Sequence, residues 1–221
     1  MNETSKSKAI WGDLELGVLQ GEGIDIGSGP DPVTKTARKF DIEQGDANHI
    51  TRFVSATYDY VYSSHCLEHM HDPVRTLAEW WKLVKPGGHL FFVVPDEDLY
   101  EQGFFPSLFN RDHKATFTIH KEKSWSPVSL NVRDLAAGLP GGEIISLTLQ
   151  DNGYDRKLWF PLARRPSWFV HNTYCVYMLL NLLPGPKWTF LDPWIKYFHP
   201  VDQTLRRGTL AQIRCIVKKV Y

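Results

Sequence analysis

The sequence predicts an α/β fold, a doubly wound and mostly parallel sheet with an antiparallel last strand. Three observations carry this. Gly23–Ile26 is a brief apolar run that ends in a glycine turn, as a buried parallel strand does. A strongly signalled helix after Asp72 is followed by the continuous apolar strand His89–Val94, stopped by Pro95. Strand, helix and strand at that spacing form a βαβ unit, whose crossover is right-handed. Further strands and helices alternate through the rest of the chain, which is the pattern of a layered α/β domain.

Taken in order, Met1–Lys8 reads as a polar, frayed tail and Ala9–Leu19 as a short lead-in. The first strand is Gly23–Ile26. Ala37–Ile42 is a candidate second strand, and Asp59–Tyr62 with its neighbours a third, rich in aromatic and β-branched residues. For the helix, Asp72 is a good N-cap, Pro73 suits the first helical position, and Gly87-Gly88 can close it. Val74, Leu77, Ala78, Trp81 and Val84 recur on one face at helical spacing. Ser126-Pro127 or Asn131 can open another helix through Leu139, closed by Gly141-Gly142. Glu143–Gln150 and Ala211–Val220 complete the strands. The chain is read as one domain, 1–221, with 155–200 as an aromatic-rich insertion before the last strand.

Composition excludes several classes. The chain has 221 residues with 25 basic and 25 acidic side chains, so no global field recruits nucleic acid. Cys66, Cys175 and Cys215 are odd in number and widely spaced, against a disulfide framework or structural zinc. The start has no secretory pattern, and the longest apolar stretch, Trp168–Leu183, is interrupted by His171, Asn172 and Asn181. A cytoplasmic location is the expectation.

Ile24-Asp25-Ile26-Gly27-Ser28-Gly29 places two glycines where backbone approaches a ligand beyond the strand ends. Pro32 stands where a dinucleotide fingerprint needs its third small residue, which disfavours NAD. With IDIGSG (24–29), FDIEQGDA (40–47), YDYVYSSHCLEH (58–69) and LVKPGGHLFFVVP (83–95), the chain resembles the class I S-adenosylmethionine (SAM)-dependent methyltransferases of type 11, which are Rossmann-like. PDEDLYEQG (95–103), DHKATFT (112–118) and SWSP (124–127) are similar to methyltransferases of bacterial cell-surface polysaccharide gene clusters.

The resemblance implies SAM as cofactor. It puts the methionine part against Asp25, Gly27 and Gly29, the ribose on Asp41 or Glu43, with Asp41 favoured because it directly follows Phe40 at the strand end, and the adenine on Asp46 and Ala47. Ser63, Ser64 and His65 form the floor near the methyl group. The chain departs from the family between the first and second strands, where Pro30 and Pro32 fit a loop better than a helix and the frame is shortened.

The implied reaction is methyl transfer to a small polar acceptor, a hydroxyl of a sugar or glycan, with His113 or His65 as catalytic base. Asp112 is the expected orienting partner of His113. Asp96-Glu97-Asp98 is a candidate for polar substrate contact. Although His65, Cys66, His69 and His71 are clustered, no second cluster completes a ligand set, and no metal is expected. The aromatic and basic residues of 155–200 suit a substrate lid or homodimer contact, or, over 156–200, a peripheral membrane or lipid-linked substrate contact. Nucleic acid is not an expected partner. The alternative function is a non-catalytic scaffold or membrane-associated binding protein that keeps the SAM fold.

Overall fold

The computed structural model describes residues 3–156, 158, 172, 176 and 200–221. The insertion 155–200, and with it the lid, dimer and membrane readings, lies outside the described residues apart from those few positions. Among the described residues no helix is long and apolar enough to cross a membrane.

The order is α1 (Glu3–Lys8), α2 (Asp13–Val18), β1 (Gly23–Ile26), β2 (Arg38–Phe40), β3 (Tyr58–Ser64), α3 (Pro73–Lys82), β4 (Val84–Pro95), β5 (Thr116–Thr118), β6 (Ser129–Asn131), α4 (Val132–Ala137), β7 (Gly142–Gln150) and β8 (Gln212–Lys219). The central sheet runs β2-β1-β3-β4-β8-β7, and β5 and β6 form a separate pair. β2, β1, β3 and β4 pair in parallel, whereas β8 is antiparallel to both β4 and β7. The expected sheet is therefore present, with its antiparallel last strand lying inside the sheet rather than at its edge.

Residue alternation along the strands explains the layering. Ile24, Ile26, Val61, Leu90, Phe92 and Val94 belong to one core with Leu77, Trp80 and Trp81 of α3 and Val132 and Ala136 of α4. Tyr60, Tyr62, Phe91 and Val93 point to the other side, into a smaller core with Val18, Leu19, Val33 and Ala37. That period of two is what a strand covered on both faces requires. No helix lies between β1 and β2, in keeping with the two prolines.

Several boundaries differ from expectation. Glu3–Lys8 is a docked helix, not a frayed tail: Thr4 and Ser7 are buried, and Ser7 Oγ accepts from Gln212 Nε2 at 2.8 Å. Asp72 does cap α3, accepting from Arg75 N, but the helix ends at Lys82. Gly87 and Gly88 lie within β4, where a side chain on Gly88 would meet Asp59 O at 2.6 Å. Val74 and Ala78 are exposed, and the buried face of α3 is Pro73, Thr76, Leu77, Trp80 and Trp81. α4 starts from Asn131 and closes at Gly138, leaving Gly142 to begin β7.

The closest approach to a glycine is at Gly23, where an added Cβ would lie 1.9 Å from the Tyr60 ring. Gly87 has open space around it but a φ of 80°. In urea denaturation, Gly23→Ala should lose about 1–3 kcal/mol by overpacking. Gly87→Ala should lose about 1 kcal/mol from left-handed backbone alone. Equal stability of Gly23→Ala and the wild type would refute this packing.

Candidate active site

The parallel registers bring the carboxyl ends of β1, β2 and β3 to one edge, since Ile26 faces both Phe40 and Ser63. Gly27 and Gly29 turn the chain there with φ of 74° and 50°. Their roles differ. An added Cβ on Gly27 would meet Cys66 Cβ at 2.7 Å, so this glycine lets the loop after β3 pack against the turn. Gly29 has nothing within 4 Å on its Cβ side and is the position open to a ligand.

Asp25 is 1% exposed, and its Oδ2 accepts from Val33 N at 2.6 Å. Burial pushes its carboxyl up to about 7, against the lowering effects of the Val33 N–H and the Lys8 charge. Asp41 braces the same turn: Oδ2 accepts from Gly29 N at 2.8 Å and Oδ1 from Ile42 N at 2.8 Å. Helix α1 straps the loop from above, with Ser5 N donating to Asp31 Oδ2 and Lys8 Nζ to Pro32 O.

The other cofactor candidates are placed as follows. Asp46 is exposed and accepts from the backbone and side-chain nitrogens of Asn48, which hold its carboxyl below the usual range. Ala47 O accepts from Trp80 Nε1. Ser63 Oγ donates to Ile26 O at 2.9 Å and so ties β3 to β1. Ser64 is buried at the end of β3.

These residues fit a SAM molecule on their own chemistry. Ser28 Oγ is buried without a hydrogen-bond partner beside the open Gly29. Asp41 keeps unused lone pairs, because each carboxylate oxygen can accept more than once. The buried Asp25 carboxylate lies where a cationic ligand would relieve the cost of its charge.

Beyond Ser64 the chain carries a histidine cluster. His65 takes a φ of 52°, a conformation uncommon for a residue with a side chain. It contacts Gln212 Oε1 through Nε2 at 3.0 Å and lies 3.5 Å from Glu68 Oε1 through Nδ1. Burial pulls this imidazole down, but the Glu68 carboxylate more than offsets it and leaves it above its ordinary value. His113 is buried, and its Nδ1 contacts Glu101 Oε1 at 2.6 Å. Asp112 does not orient His113 as expected: it pairs with His69 Nδ1 at 3.0 Å. The fold brings His113 to Glu68 and His69, with one nitrogen or oxygen of each within 4.8 Å of the others.

Sequence reasoning placed Glu68 in one cluster with His65, His69 and His71 but missed Glu101, which carried no local signal. Asp96 and Glu97 of the Asp96-Glu97-Asp98 group are held by hydrogen bonds within the fold. Asp96 accepts from Asp98 N and Leu99 N, and Glu97 accepts from Thr116, Ser124, Ser129 and Lys121. These bonds fix β5 and β6 to the segment that follows β4.

Residues 15–92 match the family described as "Methyltransferase domain". Over 75 residues the chain is 36% identical to the ubiquinone biosynthesis O-methyltransferase of Aliivibrio fischeri (strain MJ11), covering 32% of each chain. The Vibrio cholerae enzyme of the same name (strain M66-2) is 38% identical over 78 residues, covering 32% of this chain and 31% of that one. The match thus spans about a third of the curated relatives' own length. A SAM-dependent methyltransferase from Thermotoga maritima superposes with 15% identity and a TM-score of 0.48, covering 99% of this chain and 88% of that one. That superposition is loose, and the fold rests on the strand order given above. The methyltransferase reading agrees with the family match over residues 15–92, the stretch that holds the glycine turn. The likeness to polysaccharide-cluster enzymes has no counterpart in these matches.

The Asp25 carboxyl carries a pH signature. Its native value, about 7, lies above the ordinary 3.8, so the native state binds the extra proton and loses stability as pH rises between those values. The full effect above pH 7 has an upper bound of about 4 kcal/mol. Asp96, also pushed up to about 7 by burial, adds a slope of the same sign. Denaturation of Asp25→Asn against wild type from pH 4 to 8 should therefore show the variant gaining relative stability with pH. A difference that is flat, or falls, would contradict the buried charge.

Proposed function

We propose that this chain is a SAM-dependent methyltransferase that methylates a hydroxyl oxygen of a small polar acceptor. The observation that carries the reading is the turn Gly27–Gly29 at the carboxyl edge of the sheet, braced by Asp41, within the stretch that matches the methyltransferase domain family. The O-methyltransferase names of the curated relatives support oxygen as the attacked atom. A sugar or glycan acceptor is the finer form of the proposal and rests on the sequence likeness of 95–127.

In this reading Asp25, Gly27 and Gly29 hold the methionine part, Asp41 the ribose, and Asp46 with Ala47 the adenine, with Ser63 and Ser64 below. Bound there, SAM supplies an electrophilic methyl group on a sulfonium centre. The chain's own contribution is alignment, which can supply much of the rate in an in-line displacement. Ser64 and His65 end the strand nearest the turn. The acceptor hydroxyl loses its proton into the cluster of His65, Glu68, His69 and His113, whose acids hold the imidazoles in place. His113 and His65 keep the catalytic roles read from the sequence.

Two measurements test the proposal. Calorimetric titration should show SAM binding by the wild type and roughly tenfold or weaker binding by Asp41→Ala, a loss of about 1.4 kcal/mol or more. Unchanged affinity in that variant would remove Asp41 from the site. Label from methyl-tritiated SAM should enter hydroxylated acceptors, with phenols and sugars run as separate arms. Binding without transfer to any acceptor would favour the scaffold alternative, and transfer to phenols alone would exclude the glycan form.

A further inference from the structure

Glu68 stands in an unusual environment. Its side chain is 1% exposed, yet neither carboxylate oxygen makes a hydrogen bond. A buried carboxylate is normally satisfied by donors, because desolvating it costs several kcal/mol. The nearest nitrogens are His65 Nδ1 at 3.5 Å and His69 Nε2 at 4.0 Å from Oε1. The side chain is held there by its own backbone, since Glu68 O accepts from Lys114 N at 2.7 Å and Ala115 N at 3.2 Å. That clasp sets His113 beside it.

One donor atom each from Glu68, His69 and His113 lies within 4.8 Å of the other two. The two imidazoles are oriented from behind. His69 Nδ1 is taken by Asp112 Oδ2 at 3.0 Å, and His113 Nδ1 by Glu101 Oε1 at 2.6 Å. Each ring is left its Nε2. A carboxylate behind a histidine fixes its tautomer and raises its basicity as a ligand, an arrangement typical of metal-bound histidines.

We infer that Glu68, His69 and His113 form a binding site for a divalent transition-metal ion. Two imidazoles and one carboxylate are the donor set for Zn²⁺, Fe²⁺ or Mn²⁺ with open coordination positions. Donors at ~2.0–2.2 Å from an ion are about 3.0–3.5 Å apart, so closure draws the side chains in by roughly 1 Å. The ion supplies the charge that the buried Glu68 lacks. Two of its ligands follow in the chain shortly after Cys66, the residue whose side chain packs against Gly27. If methyl transfer proceeds as proposed, on which this last point rests, the open positions suit an oxygen of the acceptor, and its proton goes to His65, the imidazole of the pair that the ion leaves free.

The site is tested on the full chain, without SAM or acceptor, so its failure is separate from that of the methyl-transfer reading. Protein stripped with EDTA is reconstituted with Co²⁺ or Zn²⁺ and its metal content and Co²⁺ absorption are read. The expected result is about one ion per chain. Glu68→Gln and His113→Gln should weaken binding tenfold or more, while His71→Gln, outside the cluster, should bind as wild type. A folded wild type that takes up no ion, or cluster variants that bind as tightly as wild type, would overturn the site. Should the variants not fold, X-ray absorption of Zn²⁺-loaded wild type decides. Two imidazoles with oxygen donors support the site, and fewer imidazoles or a thiolate overturn it.

Discussion

The cofactor half of this molecule depends on one buried carboxylate bond, from Val33 N to Asp25 Oδ2 at 2.6 Å. Between β1 and β2 there is no helix to hold the backbone, only a loop with Pro30 and Pro32. A loop of that kind has no internal ladder of hydrogen bonds, so its amides need partners from elsewhere. Asp25 supplies one from below, and Asp41, at the end of β2, supplies another to Gly29 N. Helix α1 adds a third fastening from outside through Ser5 and Lys8. The same acids that resemble ligand contacts in the sequence thus also shape the turn. Both uses are compatible, because a carboxylate oxygen can accept from a backbone amide and a ligand together.

The histidine cluster, where we propose the acceptor binds, is built differently. Its side chains come from a 3-10 segment, Leu67–His69, and a loop around His113, neither of which is stiff alone. Rigidity comes from the backbone clasp between Glu68 and residues 114–115, reinforced by Lys114 Nζ donating to His69 O at 2.8 Å. Burial pushes the Glu68 carboxyl up, yet His65, with His113 and His69 behind it, holds it below its ordinary value. Glu68 is thus buried without a hydrogen bond, with nitrogens of His65 and His69 at 3.5 and 4.0 Å from Oε1 and His113 beside it.

How much of this was legible follows from how far each signal reaches along the chain. β1, β3 and β8 were readable because two-sided burial leaves nearly unbroken apolar runs, and the edge strand β7 through its aliphatic and β-branched residues. The start of α3 was readable because Asp72 and Pro73 act within one turn. Its end was not, since Gly87 and Gly88 serve a turn within β4 and a close approach to Asp59, which local glycine rules do not distinguish from a helix stop. Helix α1 was missed because its six polar residues are held by distant partners, Asp31, Pro32 and Gln212. The partners of the histidines failed for the same reason. Adjacency suggested Asp112 for His113, but the fold gives Asp112 to His69 and brings Glu101 from the segment after β4.

The two halves meet at the end of β3, and the antiparallel β8 is what joins them. Because β8 runs against β4, it starts where β4 ends, with Gln212 opposite Pro95 and also opposite Gln150. A parallel strand in that place would present its carboxyl end, and Gln212 would lie at the far side of the sheet. As built, Gln212 donates from Nε2 to Ser7 of the strap over the glycine turn and to Gln150, while its Oε1 contacts His65. His65 in turn faces Glu68. A continuous polar chain therefore runs from α1, above the cofactor turn, through Gln212 to the acidic centre of the histidine cluster. Displacing α1 would remove Ser7 from Gln212 and free the amide that positions His65. Strand direction alone thus places the covering of one half of the site in contact with the chemistry of the other.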